Sequence, residues 1–228
     1  MRLKGILGGF MHYVISDIHN DNDRLEKLLE RLQLQKEDKL YILGDLFDRT
    51  NYNPDPVGVY FNILKLGNQC QVIRGNHEQE LAQYILTYFT TKERQRKKLK
   101  PYGYNTFEEL SRRLTPVDLE NMAKWMLNLP LQIEEMIDER SYLFAHAMTS
   151  KPNEIQEDEY YLQGGNDFEE FLKNGIDGYI SVCGHSNPTG SQIWKNDIKN
   201  VILCDCGCGY RSGKLGCLCV ETGEEIYV

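Results

Sequence analysis

The sequence contains no apolar run of about 18 residues, and its mean hydropathy is −0.52, so a membrane-spanning helix is not expected. Basic residues are not in surplus either: 26 Lys and Arg stand against 34 Asp and Glu, a net charge of −8. That balance excludes a chain held to nucleic acid by bulk positive charge. Phosphate recognition would need a local cationic pit, built from metal ions or a few placed arginines. The cysteine count, seven, is odd and fits poorly with a closed disulfide framework. Residues 1–10, MRLKGILGGF, are too short and too glycine-broken for a secretory leader and read as an N-terminal extension. The cysteines are therefore expected to be reduced thiols in a cytoplasmic protein.

The 228 residues are enough for one generous domain with its own core. The first half alternates two periodicities. Residues 12–16 read as a strand, and 21–34 place Leu25, Leu28, Leu29 and Leu32 on one helical face. Residues 39–43 read as a second strand, 55–66 as a helix and 69–73 as a third strand. This βαβαβ order predicts a parallel sheet flanked by helices, with chemistry at the carboxyl ends of the strands. Residues 78–130 read as a helical insert, including a basic run at 91–100 that reads as a solvated face and a helix opened by Thr115-Pro116. Strands are expected again at 131–137, 141–145, 179–183, 200–204, 214–220 and 224–228, with 150–178 as loop and short helix.

Histidine is scarce, yet four of the five histidines (His19, His77, His146 and His185) follow strand-like runs directly. Asp17, Asp45, Asp48, Arg49 and Asn76 stand in equivalent places. A single histidine after a strand is more often a packing residue; four together with carboxylates point to a site. Aspartate oxygen and neutral imidazole nitrogen suit Mn, Fe or Zn, with Mn the natural choice in vitro. In an extended Asp-x-His both side chains share a face, so Asp17 and His19 are expected to grip one ion. Asp45 is expected to bridge to a second ion, with Asn76, His146 and His185 completing the set. Two divalent ions would make the cationic pit that the net charge otherwise denies.

The motifs SDIHN, GDLFDR, RGNHE, AHA and CGHS, in that order, resemble the metallophosphoesterases, and most closely their phosphoprotein phosphatase branch. The likeness covers about residues 12–90 and 140–228. It implies an α/β fold with a two-sheet β-sandwich flanked by helices, a dinuclear metal centre and attack of metal-activated water on phosphorus. Asp17, His19 and Asp45 would then hold one metal, and Asp45, Asn76, His146 and His185 the other. His77 would protonate the leaving oxygen, oriented by Asp48. Arg49 would clamp phosphate, with Arg74 as a second candidate. The expected substrate is a phosphorylated protein of the serine/threonine type; the alternative is a dinucleoside polyphosphate or another nucleotide. The chain departs from the family at Ser16, Asn20, Thr50, Ala147 and Met148, and it has Lys151 and Lys173 but no arginine between His146 and His185. Oligomeric state is not readable from the residues.

Cys204, Cys206, Cys208, Cys217 and Cys219 are spaced Cys-x-Cys, not Cys-x-x-Cys, and are expected to pack on one hairpin as small hydrophobes, not to bind zinc. Asp205 is expected to hold a loop, Glu78 to favour the start of a helix, and Met122, Trp125 and Met126 to face the core. Tyr102 and Tyr104 read as turn residues.

Overall fold

The computed structural model describes residues 9–49, 53–96, 98–99 and 105–228; residues 1–8, Thr50, Tyr102 and Tyr104 lie outside that set. The alternation read in the first half becomes β1 (His12–Ile15), α1 (Asn22–Leu32), β2 (Lys39–Ile42), α2 (Pro56–Leu66) and β3 (Cys70–Val72). The helix boundaries have local causes. The Asp21 carboxylate accepts from Arg24 N at 3.1 Å at the start of α1, and Gln33 ends it in the left-handed region. Asp55 caps α2 in the same way, with Pro56 at its first position.

Four helices follow: α3 (Asn76–Thr90), α4 (Glu93–Arg96), α5 (Thr106–Arg113) and α6 (Pro116–Leu127). Thr115 and Asp118 cap α6 reciprocally. The remainder comprises β4 (Gln132–Ile137), β5 (Arg140–Ala145), α7 (Asp158–Gln163), α8 (Phe168–Asn174), β6 (Ile180–Cys183), β7 (Trp194–Lys195), β8 (Val201–Leu203), β9 (Gly216–Cys219) and β10 (Glu225–Tyr227). The short β7 was not foreseen, and the polar 150–178 stretch holds two helices, α7 and α8.

Two mixed sheets result, ordered β10-β9-β1-β2-β3 and β4-β5-β6-β8-β7. In the first, β1, β2 and β3 run parallel, pairing His12 with Lys39 and Leu40 with Cys70. In the second, β5, β6 and β8 run parallel. The sheets pack face to face over Val14, Tyr41, Ile73, Phe144, Val182 and Ile202. Tyr41 stacks on Phe144 at 4.5 Å between ring centres, joining the two layers. The alternate residues Tyr13 and Ile15 face a second cluster formed with Leu25, Leu28, Leu81 and Met122 of the helices. Met126 lies in that cluster and Trp125 packs against it.

The cysteines do not share a hairpin. β8 and β9 belong to different sheets, so the segment between them crosses from one layer to the other. Cys204 and Cys206 pack between the sheets, whereas Cys208, Cys217 and Cys219 face the helices. The expected sharing of a face holds for Cys204 with Cys206 and for Cys217 with Cys219, but not for Cys208, which leaves the face of Cys204 and Cys206 as the segment changes layers. Among the described residues, the groups whose donor atoms converge as a metal site would require contain no cysteine, and none of their helices is long and apolar enough to cross a membrane.

Candidate metal centre

Parallel strands deliver their carboxyl ends to one edge, and here both sheets do so side by side. Asp17 and His19 follow β1; Asp45, Asp48 and Arg49 follow β2; Asn76 and His77 open α3 after β3; His146 follows β5 and His185 follows β6. The strand pairing continues into the loops: Asp17 N donates to Gly44 O, His19 N to Asp45 O and Asn20 N to Leu46 O, at 2.9–3.1 Å. These loops are not extended. Asp17, His19, Asn20, Asp45, Asp48, Arg49 and His185 all have left-handed backbones, with φ from 52° to 72°. Each such non-glycine residue costs of order 1–3 kcal/mol and persists only when its surroundings over-determine it. Asp17 and His19 therefore approach one another through a turn, and the expected strand alternation is not what brings them together.

Asp45, fully buried, is the centre of the arrangement. Its Oδ2 lies 3.8 Å from Nε2 of both His19 and His77, and its Oδ1 lies 3.4 Å from His146 Nε2. His146 Nε2 is 3.0 Å from Asn76 Oδ1 and 3.2 Å from His185 Nδ1. His19 Nε2 is 3.5 Å from Asp17 Oδ1. Two donor groups thus share Asp45: His19, Asp45 and His77 on one side, and Asp45, His146 and His185 on the other. Three of these buried atoms, Asp17 Oδ1, His19 Nε2 and Asp45 Oδ2, have no hydrogen-bond partner. Leaving them so would cost about 1–3 kcal/mol each, and a cation among them would remove that penalty. The donor set of carboxylate oxygens and imidazole nitrogens fits Mn, Fe or Zn.

The supporting bonds aim the donors. His19 Nδ1 faces Phe47 O at 3.0 Å and His146 Nδ1 faces Leu43 O at 2.7 Å, which turns each Nε2 inward. Asp17 Oδ2 accepts from His185 N at 3.0 Å and from the Ser16 hydroxyl. Glu78, wholly buried, accepts from Gly75 N, Asp45 N and Leu46 N, each at 2.8 Å. It was expected only to favour a helix start; in fact it also locks the loop that carries Asp45. Gly75 is required for close approach, since a Cβ there would lie 2.3 Å from Asp45 Oδ1.

Burial pushes the Asp45 carboxyl up, but His146, His77 and His19 outweigh it and hold it well below the usual range. Burial lowers His146, and Asp45 outweighs that to raise it to about 10. Burial, followed by the neighbouring His146, lowers His185 to about 4. Glu78 is raised to about 7 by burial and then by Asp45, and Asp205 to about 8 by burial and then by Asp17. Asp205 also accepts from Gly207 N at 2.7 Å, the loop-holding bond expected of it.

His77 Nδ1 lies 2.8 Å from Asp48 Oδ2, which leaves Nε2 facing the centre. Burial lowers His77, while the Asp48 bond and Asp45 more than compensate and raise it above the ordinary imidazole value. Arg49 Nη2 stands 3.5 Å from His77 Nε2, at the mouth of the arrangement. Arg74 is used elsewhere: it donates to Gln79 Oε1, Leu127 O and Asp158 Oδ2, tying α3 to the end of α6 and to α7.

With this geometry in hand, comparison with known proteins identifies relatives. The chain is 28% identical over 169 residues to a symmetrical bis(5'-nucleosyl)-tetraphosphatase of Psychromonas ingrahamii, covering 71% of this chain and 55% of that protein. It is 31% identical over 137 residues to a protein of the same name from Erwinia tasmaniensis, covering 59% and 43%. The chain spans about half the length of the curated relatives it matches. Among solved structures, a candidate diadenosine tetraphosphatase superposes with a TM-score of 0.67 at 22% identity, covering 96% of this chain and 93% of that one. A serine/threonine phosphatase from Saccharomyces cerevisiae gives 0.58 at 16% identity, covering 94% and 73%; both show a shared fold. The sequence profile of the calcineurin-like phosphoesterases matches residues 13–212, and the chain accordingly belongs to that family of enzymes acting on phosphate esters.

Proposed function

We propose that this protein is a metal-dependent hydrolase of dinucleoside polyphosphates that cleaves a dinucleoside tetraphosphate symmetrically, one water adding across the central P–O–P bridge to give two nucleoside diphosphates. The observation that carries the reading is Asp45, whose two oxygens each face a separate donor group beneath the Arg49 guanidinium. The names of the curated relatives favour a nucleotide over the phosphoprotein substrate expected from the motifs. The absence of an arginine between His146 and His185 points the same way.

Asp17, His19 and Asp45 would hold one ion, and Asp45, Asn76, His146 and His185 the other. When bound, the metal pair supplies a nucleophilic water and Lewis-acid stabilisation of the phosphoryl oxygens. The protein contributes the remainder. Arg49 presents its fork of N–H donors to the phosphate oxygens. His77, held by Asp48 and raised above the ordinary imidazole value by that bond, delivers its proton from Nε2 to the departing oxygen. We read residues 1–228 as one domain in which the 78–130 helices shape access. In support, Asn20 beside His19 donates to Thr106 Oγ1 of α5 at 2.8 Å.

The test is hydrolysis of diadenosine tetraphosphate by manganese-supplemented protein, compared with a phosphoserine peptide. Two molecules of ADP per substrate at a kcat/KM at least tenfold above that for the peptide is the expected result. Faster turnover of the peptide overturns the nucleotide reading.

A further inference from the structure

The loop joining β8 to β9 is unusually well determined for a surface segment. Tyr210 N donates to Gly207 O, Gly213 N to Tyr210 O and Lys214 N to Cys206 O, at 2.9–3.1 Å. A Cβ on Gly213 would fall on Gly207 O, and one on Gly207 would lie 2.9 Å from Gly190 O, so the loop closes on itself and abuts the segment after His185. Cys208 Sγ lies 3.3 Å from Ile18 O, anchoring the loop to the turn between Asp17 and His19. From this frame the Tyr210 ring projects, half-exposed at 53%, and the Arg49 guanidinium carbon lies 5.3 Å from its centre.

Arg49 is half-buried; Asp17, Asp45 and Asp205 act on it at longer range, but among the described residues no carboxylate lies within 4.0 Å as an ion-pair partner occupying its N–H donors. That is chemically apt. A carboxylate would occupy the same N–H fork that a phosphate needs, whereas an aromatic face holds the cation and leaves the donors free. An arginine without such support loses more rotamer freedom on binding, which weakens affinity. We propose that Tyr210 is a positioning residue, whose ring pre-orders Arg49 for the phosphate of the substrate. The proposal rests on Arg49 being the phosphate clamp.

The experiment is a double-mutant cycle on manganese-supplemented protein with Arg49→Ala, Tyr210→Leu, Tyr210→Phe and the Arg49→Ala/Tyr210→Leu pair. Two readouts are taken: the Kd for inorganic phosphate by calorimetry, and kcat and KM for p-nitrophenyl phosphate. Circular dichroism verifies that each variant is folded. Tyr210→Leu should raise Kd and KM roughly fivefold with kcat within about twofold, the size of a partly exposed cation–ring contact. Tyr210→Phe, which keeps the ring, should restore both constants. In the Arg49→Ala background, Tyr210→Leu should have no further effect. Equal effects of Tyr210→Leu with and without Arg49, failure of phenylalanine to restore, or no effect of leucine while Arg49→Ala weakens binding would each overturn the proposal alone. Unchanged phosphate affinity in Arg49→Ala would remove the clamp itself, and the role of Tyr210 with it.

Discussion

At the scale of single residues, Asp45 and His77 carry opposite expectations. Asp45 is the one carboxylate shared by both donor groups, so Asp45→Asn should lower turnover by more than 100-fold and reduce bound manganese measured by mass spectrometry. Turnover within threefold of wild type in saturating manganese would reject the bridging assignment. His77→Asn should instead retain metal, because Nδ1 is committed to Asp48 and the side chain serves the leaving group. A general acid contributes ~10²–10⁴-fold, and most where the leaving oxygen is strongly basic. Phosphoserine hydrolysis should therefore fall much further than that of p-nitrophenyl phosphate or of a dinucleoside polyphosphate, whose leaving oxygens are weak bases. Loss of a metal in this variant would show that His77, which faces the same Asp45 oxygen as His19, is a ligand.

At the scale of elements, the first turn of α3 does more than start a helix. It presents Asn76 and His77 to the centre, while Glu78 reaches back to gather the amides of Gly75, Asp45 and Leu46. A buried acceptor shared by donors from two loops makes the β2 and β3 ends a single unit. Glu78→Gln would turn an amide N–H₂ toward at least one of those N–H groups, leaving a buried donor unsatisfied at about 1–3 kcal/mol. The expected outcome is a lower Cm in urea unfolding together with at least tenfold lower activity, since Asp45 loses its fixed backbone. Full activity in a destabilised but folded variant would mean that Glu78 supports the helix alone.

At the scale of the whole molecule, the centre exists only where two sheets meet. His146 comes from the second sheet and faces Leu43 O of the first, 103 positions away; His185 N reaches Asp17 Oδ2 across 168 positions. The angle between the layers is held by the packed face around Tyr41 and Phe144. Phe144→Ala should cost about 3–5 kcal/mol in chemical denaturation through the cavity it leaves. It should also lower metal affinity, because the two halves of the donor set sit on opposite layers. The Lys195–Glu225 ion pair also joins the sheets, but at a partly exposed edge. Its removal should cost no more than about 1 kcal/mol; a larger loss would move the main inter-sheet tie to that edge.

The alternation of strand and helix, the parallel β1–β2–β3 order and the presence of donors at strand ends were legible in the sequence, because periodicity and short motifs are local properties. The cysteine segment was not: Cys204 and Cys206 share one face, but Cys208 crosses to the other past the positive-φ Gly207, because β8 and β9 enter different sheets. The left-handed backbones of Asp17 and Asp45, the reach of Glu78 and the diversion of Arg74 to Asp158 were likewise invisible. Aspartate tolerates positive φ better than most residues, but that tolerance does not say which aspartates adopt it; packing and hydrogen bonds from distant strands decide. Residue types declared what chemistry was possible, and the closure of two sheets over more than a hundred positions decided which atoms face one another.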